Sequence, residues 1–269
     1  MKFCAHILVL LLVFFAGNCA FAQLDTTKTE DTSSYSLIRY KIKDETFFIS
    51  LSPKDPSHYL ARGTLRNQIK DCKNAIDDFN KALELEPKNV DALIGRGNSK
   101  DIMFDYKNAL LDYNQASQLE PNNADVYYNR GLCYVAQKKF NEAIKDFTKA
   151  ISLNSEDWMS YYSRASSEVQ LKNLGGAIAD YSKTIELSPM FPDAWFSRGS
   201  VEYELKKYEE AIADFNKLLE MYPNVPNAYY LRGNIEYDMG AKATACLDYK
   251  KAKELGVDKA DEMLNTRCK

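Results

Sequence analysis

One short pattern governs what this chain can become. "YLARG" at Tyr59–Gly63 returns as "LIGRG" (Leu93–Gly97), "YYNRG" (Tyr127–Gly131), "YYSRA" (Tyr161–Ala165), "WFSRG" (Trp195–Gly199) and "YYLRG" (Tyr229–Gly233). The interval is 34 residues each time, and no residue is gained or lost across the six copies. A fixed period of this size marks a stack of small units, because one unit alone cannot bury its apolar face. The 269 residues therefore set the length of a stack rather than a number of globular domains.

The third copy, Ala124–Asp157, shows what the unit is. Tyr127, Tyr128, Tyr134 and Val135 fall at helical spacing, and Lys138-Lys139 interrupts it. Phe140, Ala143, Ile144, Phe147, Ala150 and Ile151 then follow a 3.6-residue period. Asn154 and Ser155 end that run; four other copies place Pro87, Pro121, Pro189 or Pro223 there, and proline cannot continue a helix. Each copy thus predicts a helix A, a tight turn and a helix B. Small residues recur where the two helices would cross. The glycine after the arginine is followed twelve residues later by Ala75, Ala109, Ala143, Ala177, Ala211 or Ala245, and Ala82, Ala116, Ala150 and Ala252 form a further row. Small side chains let helix axes approach closely. Phe79, Tyr113, Phe147, Tyr181, Phe215 and Tyr249 supply one ring per copy to fill the adjoining space.

These residues resemble the tetratricopeptide repeat, with its aromatic, glycine, alanine, aromatic, alanine and proline positions in a 34-residue period. Six repeats span 56–259: 56–89, 90–123, 124–157, 158–191, 192–225 and 226–259. Departures are few: Ala165 for the glycine, Thr184 and Leu218 for an alanine, Ser155 and Val257 for the proline. The resemblance implies an all-α solenoid, a right-handed superhelix of helix-turn-helix repeats whose concave groove is lined by A helices. Residues 260–269, with the helical run starting at Asp258, read as a short capping helix, since the last helix B would otherwise expose an apolar face.

Two departures occur in every repeat. Arg62, Arg96, Arg130, Arg164, Arg198 and Arg232 stand where the family usually has leucine, and sixteen residues later stand Asp78, Asp112, Asp146, Asp180, Asp214 and Asp248. Six matched pairs predict a ladder of ion pairs between helices, for which a planar guanidinium suits a carboxylate. A basic stripe for an anionic ligand is the rival reading, but the matched aspartates would cancel its field.

The resemblance also implies where a partner would bind. Its groove positions give Tyr128, Tyr162, Phe196 and Tyr230, with Tyr203 and Tyr237 further along helix A and Asn98 and Asn129 beside them. Rings offer buried area and asparagines satisfy an extended peptide backbone; the competing reading is that these rings pack between neighbouring A helices. The family's two-lysine, one-arginine carboxylate clamp is not expected, because Ile94, Met159 and Ser163 occupy its basic positions.

Outside the repeats, Lys2 precedes an apolar run Ile7–Ala16 and a small-x-small site, Ala20-Phe21-Ala22, so residues 1–22 read as a signal peptide. Lipid attachment at Cys19 would want a small residue where Asn18 stands. Residues 23–55 read as a linker followed, over Tyr35–Ser52, by a short β-hairpin or an irregular N-terminal cap, with a turn at Lys43-Asp44-Glu45. Within the mature chain only His58 remains of the histidines, which excludes multi-histidine metal sites and leaves no catalytic constellation and no cofactor site. The net charge of -3 is mixed along the chain, which gives no nucleic-acid footprint, and the mature chain has no apolar run long enough to span a membrane. Cys72, Cys133, Cys246 and Cys268 remain. Helix B of this family tends to face the next helix A, so Cys246 and Cys268 are candidates for a disulfide, while Cys72 and Cys133 lie two repeats apart and should stay free. The expectation is an exported scaffold, in the periplasm or outside the cell, that binds a protein or peptide in its groove. The rival is an assembly protein that self-associates through its convex face or ends.

Overall fold

A computed structural model describes residues 32–269; the leader and most of the linker lie outside them. Fourteen α-helices make up the described chain: α1 (Thr32–Leu51), α2 (Pro56–Gln68), α3 (Cys72–Leu85), α4 (Val90–Ile102), α5 (Tyr106–Leu119), α6 (Ala124–Ala136), α7 (Phe140–Leu153), α8 (Trp158–Gln170), α9 (Leu174–Leu187), α10 (Pro192–Glu204), α11 (Tyr208–Met221), α12 (Pro226–Asp238), α13 (Lys242–Glu254) and α14 (Asp258–Arg267). Even-numbered helices α2 to α12 are the A helices and α3 to α13 the B helices. They group into two compact units that divide after Asn154, where the repeat carries Ser155 instead of its proline.

Local chemistry explains the helix ends. Asn89 and Asn123 accept backbone N–H groups at the starts of α4 and α6, and prolines open α2, α10 and α12. Each A–B turn places one residue in the left-handed region: Lys70, Phe104, Lys138, Lys172 and Lys206 with φ near 60°, then Gly240. At α6 the next residue closes a Schellman turn, its Lys139 N–H donating to Tyr134 O at 2.9 Å. The polar break read at Lys138-Lys139 is therefore a defined cap that tolerates lysine where glycine is the usual choice.

In the N-terminal unit, α2 to α7 form three A–B hairpins. Their core joins Ala75, Phe79, Ala82 and Ala92, then Val90, Leu93, Ala116 and Val126, then Ala109, Tyr113 and Cys133. The helix-B ring lies against the A-helix glycine. A Cβ added at Gly97 would come 2.7 Å from the Tyr113 ring, and one at Gly131 2.7 Å from the Phe147 ring.

Tyr35–Ser52 is neither hairpin nor irregular. It lies almost wholly in α1, and the proposed turn residues Lys43, Asp44 and Glu45 are mid-helix. The apparent alternation arises because this helix is apolar on two sides: Ile38, Ile42 and Ile49 are half-buried, whereas Leu37, Tyr40, Phe47 and Leu51 are exposed. α1 packs on α2. Glu45 Oε2 lies 2.8 Å from His58 Nδ1, and Phe48 stacks on that imidazole.

The C-terminal unit repeats the hairpin three times and ends in α14. That helix covers α13 through Ala260, Met263 and Leu264, which pack with Ala245, Tyr249 and Ala252. Cys246 and Cys268 form a disulfide with their Cα atoms 5.8 Å apart; Cys72 and Cys133 are free and buried. Among the described residues, no helix is long and apolar enough to cross a membrane.

Candidate functional site

The recurring arginine is structural. In each repeat the guanidinium meets its carboxylate edge-on: Arg96 Nε and Nη2 donate to Asp112 at 3.0 and 2.7 Å, Arg198 to Asp214 at 2.8 and 2.7 Å, and Arg62, Arg130, Arg164 and Arg232 make the same pairs with Asp78, Asp146, Asp180 and Asp248. The third arm reaches back to the preceding helix B. Nη1 of Arg96, Arg130, Arg198 and Arg232 donates to Asn80, Asn114, Ser182 and Asn216, and Arg62 Nη1 reaches Thr46 on α1. Each of these five arginines thereby ties helix A to two neighbours at once. The sequence carries this second link as a polar residue sixteen positions before each arginine, a signal missed in reading only the aspartates.

An aromatic residue three positions earlier completes the arrangement. The guanidiniums of Arg130, Arg198 and Arg232 lie 5.4–5.5 Å from the ring centres of Tyr127, Trp195 and Tyr229. Those three rings donate in turn to the carbonyls of Pro121, Pro189 and Pro223. With its N–H edges hydrogen-bonded, a ring on one face and its charge matched by the aspartate, the ladder arginine offers little field to an anionic ligand.

The environment of the ladder aspartate changes along the chain. Asp78 and Asp112 each hold a second cation, Arg66 and Lys100, at 2.6 and 2.7 Å. At the equivalent place repeats four to six carry Glu168, Glu202 and Glu236, each with one buried oxygen lacking a hydrogen-bond partner. Burial first, and the neighbouring aspartate second, push all three carboxyls up, Glu202 to about 7. Asp101 is pushed up to about 6 by burial; it shares its pocket with Cys133, whose thiol burial also raises.

Three of the groove candidates belong to the core. Tyr128, Tyr162 and Phe196 are 2–4% exposed and lie against the helix-B rings Phe147, Tyr181 and Phe215 at 5.5–5.9 Å. This corrects their assignment as partner-binding residues: the small alanine and glycine rows let the helices approach until these rings fill the space between them. Tyr230 is half-buried and packs on Tyr249 at 6.2 Å. Asn98 accepts the Tyr113 hydroxyl at 2.6 Å, and Asn129 donates to the Asp125 carbonyl, so neither amide is held ready for a ligand. The helix-B ring alternates Phe and Tyr from repeat to repeat, and Asn98, Ser166 and Asn234 stand where a hydroxyl needs a partner.

Tyr237 is exposed and Tyr203 half-buried, both in the C-terminal unit. The Tyr203 hydroxyl donates to Asp238 at 2.9 Å. Tyr237 is 36% exposed, and Arg267, from the last turn of α14, sits 4.5 Å above its ring. Nη1 of Arg267 bonds Asn234 and the Tyr249 hydroxyl. The disulfide at the adjoining Cys268 holds the arginine there. Hydroxyls, a carboxylate, an amide and a cation thus surround two rings on the A-helix surface. His58 offers no comparable chemistry, since its two ring nitrogens face Glu45 and Asp55. No group of three or more metal-ligating side chains occurs among the described residues.

Family models of the tetratricopeptide repeat match residues 59–89, 105–138, 124–157 and 162–226. The chain is a tetratricopeptide repeat protein. Its fold is shared with PilF of Pseudomonas aeruginosa at 20% identity, with a TM-score of 0.68 over 78% of this chain and 96% of that one. YrrB, described as a tetratricopeptide repeat protein with an unusual peptide-binding site, aligns at 22% identity and a TM-score of 0.56, over 70% of this chain and 97% of its own. A chain of the APC/C hetero-tetramer Cut9–Hcn1 aligns at 16% identity and a TM-score of 0.65 across 89% of this chain, which spans 46% of that longer one. No curated protein sequence matches. The tetratricopeptide repeat fold supports a protein–protein interaction scaffold.

Proposed function

We propose that this chain is an exported, non-catalytic adaptor that holds an extended segment of a protein partner on the A-helix surface of its C-terminal unit. The observation that carries this reading is the set left over once the core has taken Tyr128, Tyr162 and Phe196. Tyr237 is exposed and Tyr203 half-buried beside it, with Arg267, Asn234 and Asp238 around them. Rings give a peptide side chain area to bury, and the Asp238 carboxylate and the Arg267 guanidinium can pair with its backbone or charged groups. The leader motif at 1–22 supports export, and with it a location in the cell envelope or outside it.

A photo-crosslinking amino acid at Tyr237, compared with one at the exposed Leu247 of α13, tests the surface in the intact cell. A discrete adduct from position 237, absent from position 247 and lost with Tyr203→Ala, is expected; equal labelling from both positions refutes the assignment. Export is checked on the same material: the mature chain should begin at Gln23, and a retained leader overturns it.

A further inference from the structure

Arg267 is set up like a ladder arginine but without the aspartate. Each ladder guanidinium turns its Nε–Nη2 edge to a carboxylate, and five of the six lie 5.4–5.9 Å from the centre of a ring three residues earlier. Arg267 repeats the other features of that arrangement. Its guanidinium lies 4.5 Å from the centre of the Tyr237 ring, and its Nη1 donates to neutral oxygens, Asn234 Oδ1 at 3.1 Å and the Tyr249 hydroxyl at 2.9 Å. Its Nε and Nη2 find no acceptor among the described residues, and no carboxylate there forms an ion pair with it. Asp238 instead accepts the Tyr203 hydroxyl at 2.9 Å.

The setting of Arg267 makes the unmatched charge informative. The side chain is half-buried, so its cation is partly stripped of water with nothing of opposite sign in contact, which costs free energy. Arg39, which also makes no ion pair among the described residues, is exposed and hydrated. The guanidinium of Arg267 is also held still. Cys268, the next residue, is bonded to Cys246 on α13, and Met263 and Leu264 of the same helix pack with Tyr249. A planar fork fixed in advance loses little freedom when it binds. Its single charge, with Asp238 close enough to act on it, suits a group carrying one negative charge. A phosphate, with nearly two, would meet one cation and a neighbouring carboxylate.

We infer that the Nε–Nη2 edge of Arg267 receives a carboxylate of the partner, so that the segment held at Tyr203 and Tyr237 carries an aspartate or glutamate side chain or ends in its own carboxylate. The inference rests on the reading of this surface as the partner site and adds the chemistry that selects the partner. Two N–H groups donate to two carboxylate oxygens, the geometry of the six ladder pairs. The ladder completes that pair within each repeat, and Arg267 completes it with a second molecule. A lysine at this position would supply the charge without the two-pronged geometry.

Random peptides displayed on phage and selected on the purified full chain test it. One library is joined to the phage through the peptide C-terminus, so only side chains can supply a carboxylate; the other ends in a free C-terminus. Selected peptides are synthesised with the acid and with its amide (Asp→Asn, Glu→Gln or a C-terminal amide), and their binding is followed by fluorescence anisotropy. Removing the carboxylate should weaken binding to the wild type about tenfold. The same change should alter binding to Arg267→Gln less than about twofold, because the two losses are one interaction. The peptide exchange on wild-type protein needs no variant to fold, and circular dichroism with a cysteine alkylation check shows that Arg267→Gln keeps its helices and disulfide. Enrichment of acids in the first library assigns the side chain as the source, and enrichment in the second alone assigns the chain terminus. Peptides that lose binding to Tyr237→Ala yet bind the wild type equally well as acid or amide overturn the carboxylate and leave the surface reading standing. Peptides indifferent to Tyr237→Ala, or none selected from either library, overturn both.

Discussion

Removing the same arginine from the middle repeat of each unit should have different consequences. Arg96–Asp112 and Arg198–Asp214 are matched pairs: in both, the arginine side chain is 20% exposed and the aspartate side chain 5%. Both arginines use Nε and Nη2 on the aspartate and Nη1 on the preceding helix B. What differs is the next neighbour. Arg96→Ala leaves Asp112 bound to Lys100 at 2.7 Å, whereas Arg198→Ala leaves Asp214 beside Glu202, itself buried with one unpaired oxygen. Breaking a buried pair costs about 3–5 kcal/mol when the remaining charge is uncompensated. The retained lysine should bring the first variant down to about 1–2 kcal/mol, while the second keeps about 3–4 kcal/mol. Loss of the cation–π contact with Trp195 adds about 0.5–1 kcal/mol to the second, so pH is needed to isolate the carboxyl. The Glu202 carboxyl lies at about 7 in the folded chain against an ordinary value of 4.5. A carboxyl raised on folding is bound to its proton in the native state, so stability falls as pH rises from about 4.5 through about 7, and the penalty is complete above that. Arg198 is one of the groups that lowers the Glu202 carboxyl, and its removal enlarges the effect. Native-state hydrogen exchange at the amides of α5 and α11, corrected for intrinsic rates at pH 6 and pH 8, reads the local opening free energy. The Arg198→Ala penalty should shrink at pH 6 and the Arg96→Ala penalty should not. Equal penalties at both pH values would refute the argument that the second neighbour decides the cost.

Tyr162→Ala with Phe196→Ala should remove about 3–5 kcal/mol per ring from the C-terminal unit, because both side chains are buried against a second ring; urea denaturation followed by circular dichroism would show a much lower midpoint, and an unchanged midpoint would mean the rings are surface groups. Cys268→Ser opens a link across 22 residues and should cost about 3 kcal/mol by the chain-entropy relation, with exchange protection lost first in α14. Alkylation of the denatured, unreduced wild type should leave Cys246 and Cys268 unmodified.

The repeat made the fold legible, and the reasons it did so also set the limits on reading the site. Helix pairs, crossing alanines and the arginine–aspartate pairing could be found because six copies in one chain reveal what each position must satisfy. The groove residues could not be found that way. A ring at the A-helix position of Tyr162 is apolar whether it faces a peptide or a neighbouring helix, and periodicity is the same in both cases. What decides is how closely the helices approach, set by the glycine and alanine rows together with the ring on helix B. The asparagines were misread for a related reason. Asn98 looks like a ligand-binding amide until the Phe–Tyr alternation on helix B is taken with it, after which Tyr113 accounts for it.

α1 was misread from the opposite cause, the lack of a second copy to compare. Its isoleucines and aromatics occupy two sides of the helix, and over a short window two apolar sides mimic the alternation of a strand. The heptad spacing Leu37, Tyr40, Asp44, Phe47, Leu51 was present in the sequence throughout. It becomes readable once α2 is seen to cover the isoleucines alone, which leaves this face as a surface in its own right. The residues of this chain that depart from the repeat — α1, Arg267 and the cap disulfide — are therefore the ones whose roles had to be read from what lies next to them, and they sit at the two places where repeats end.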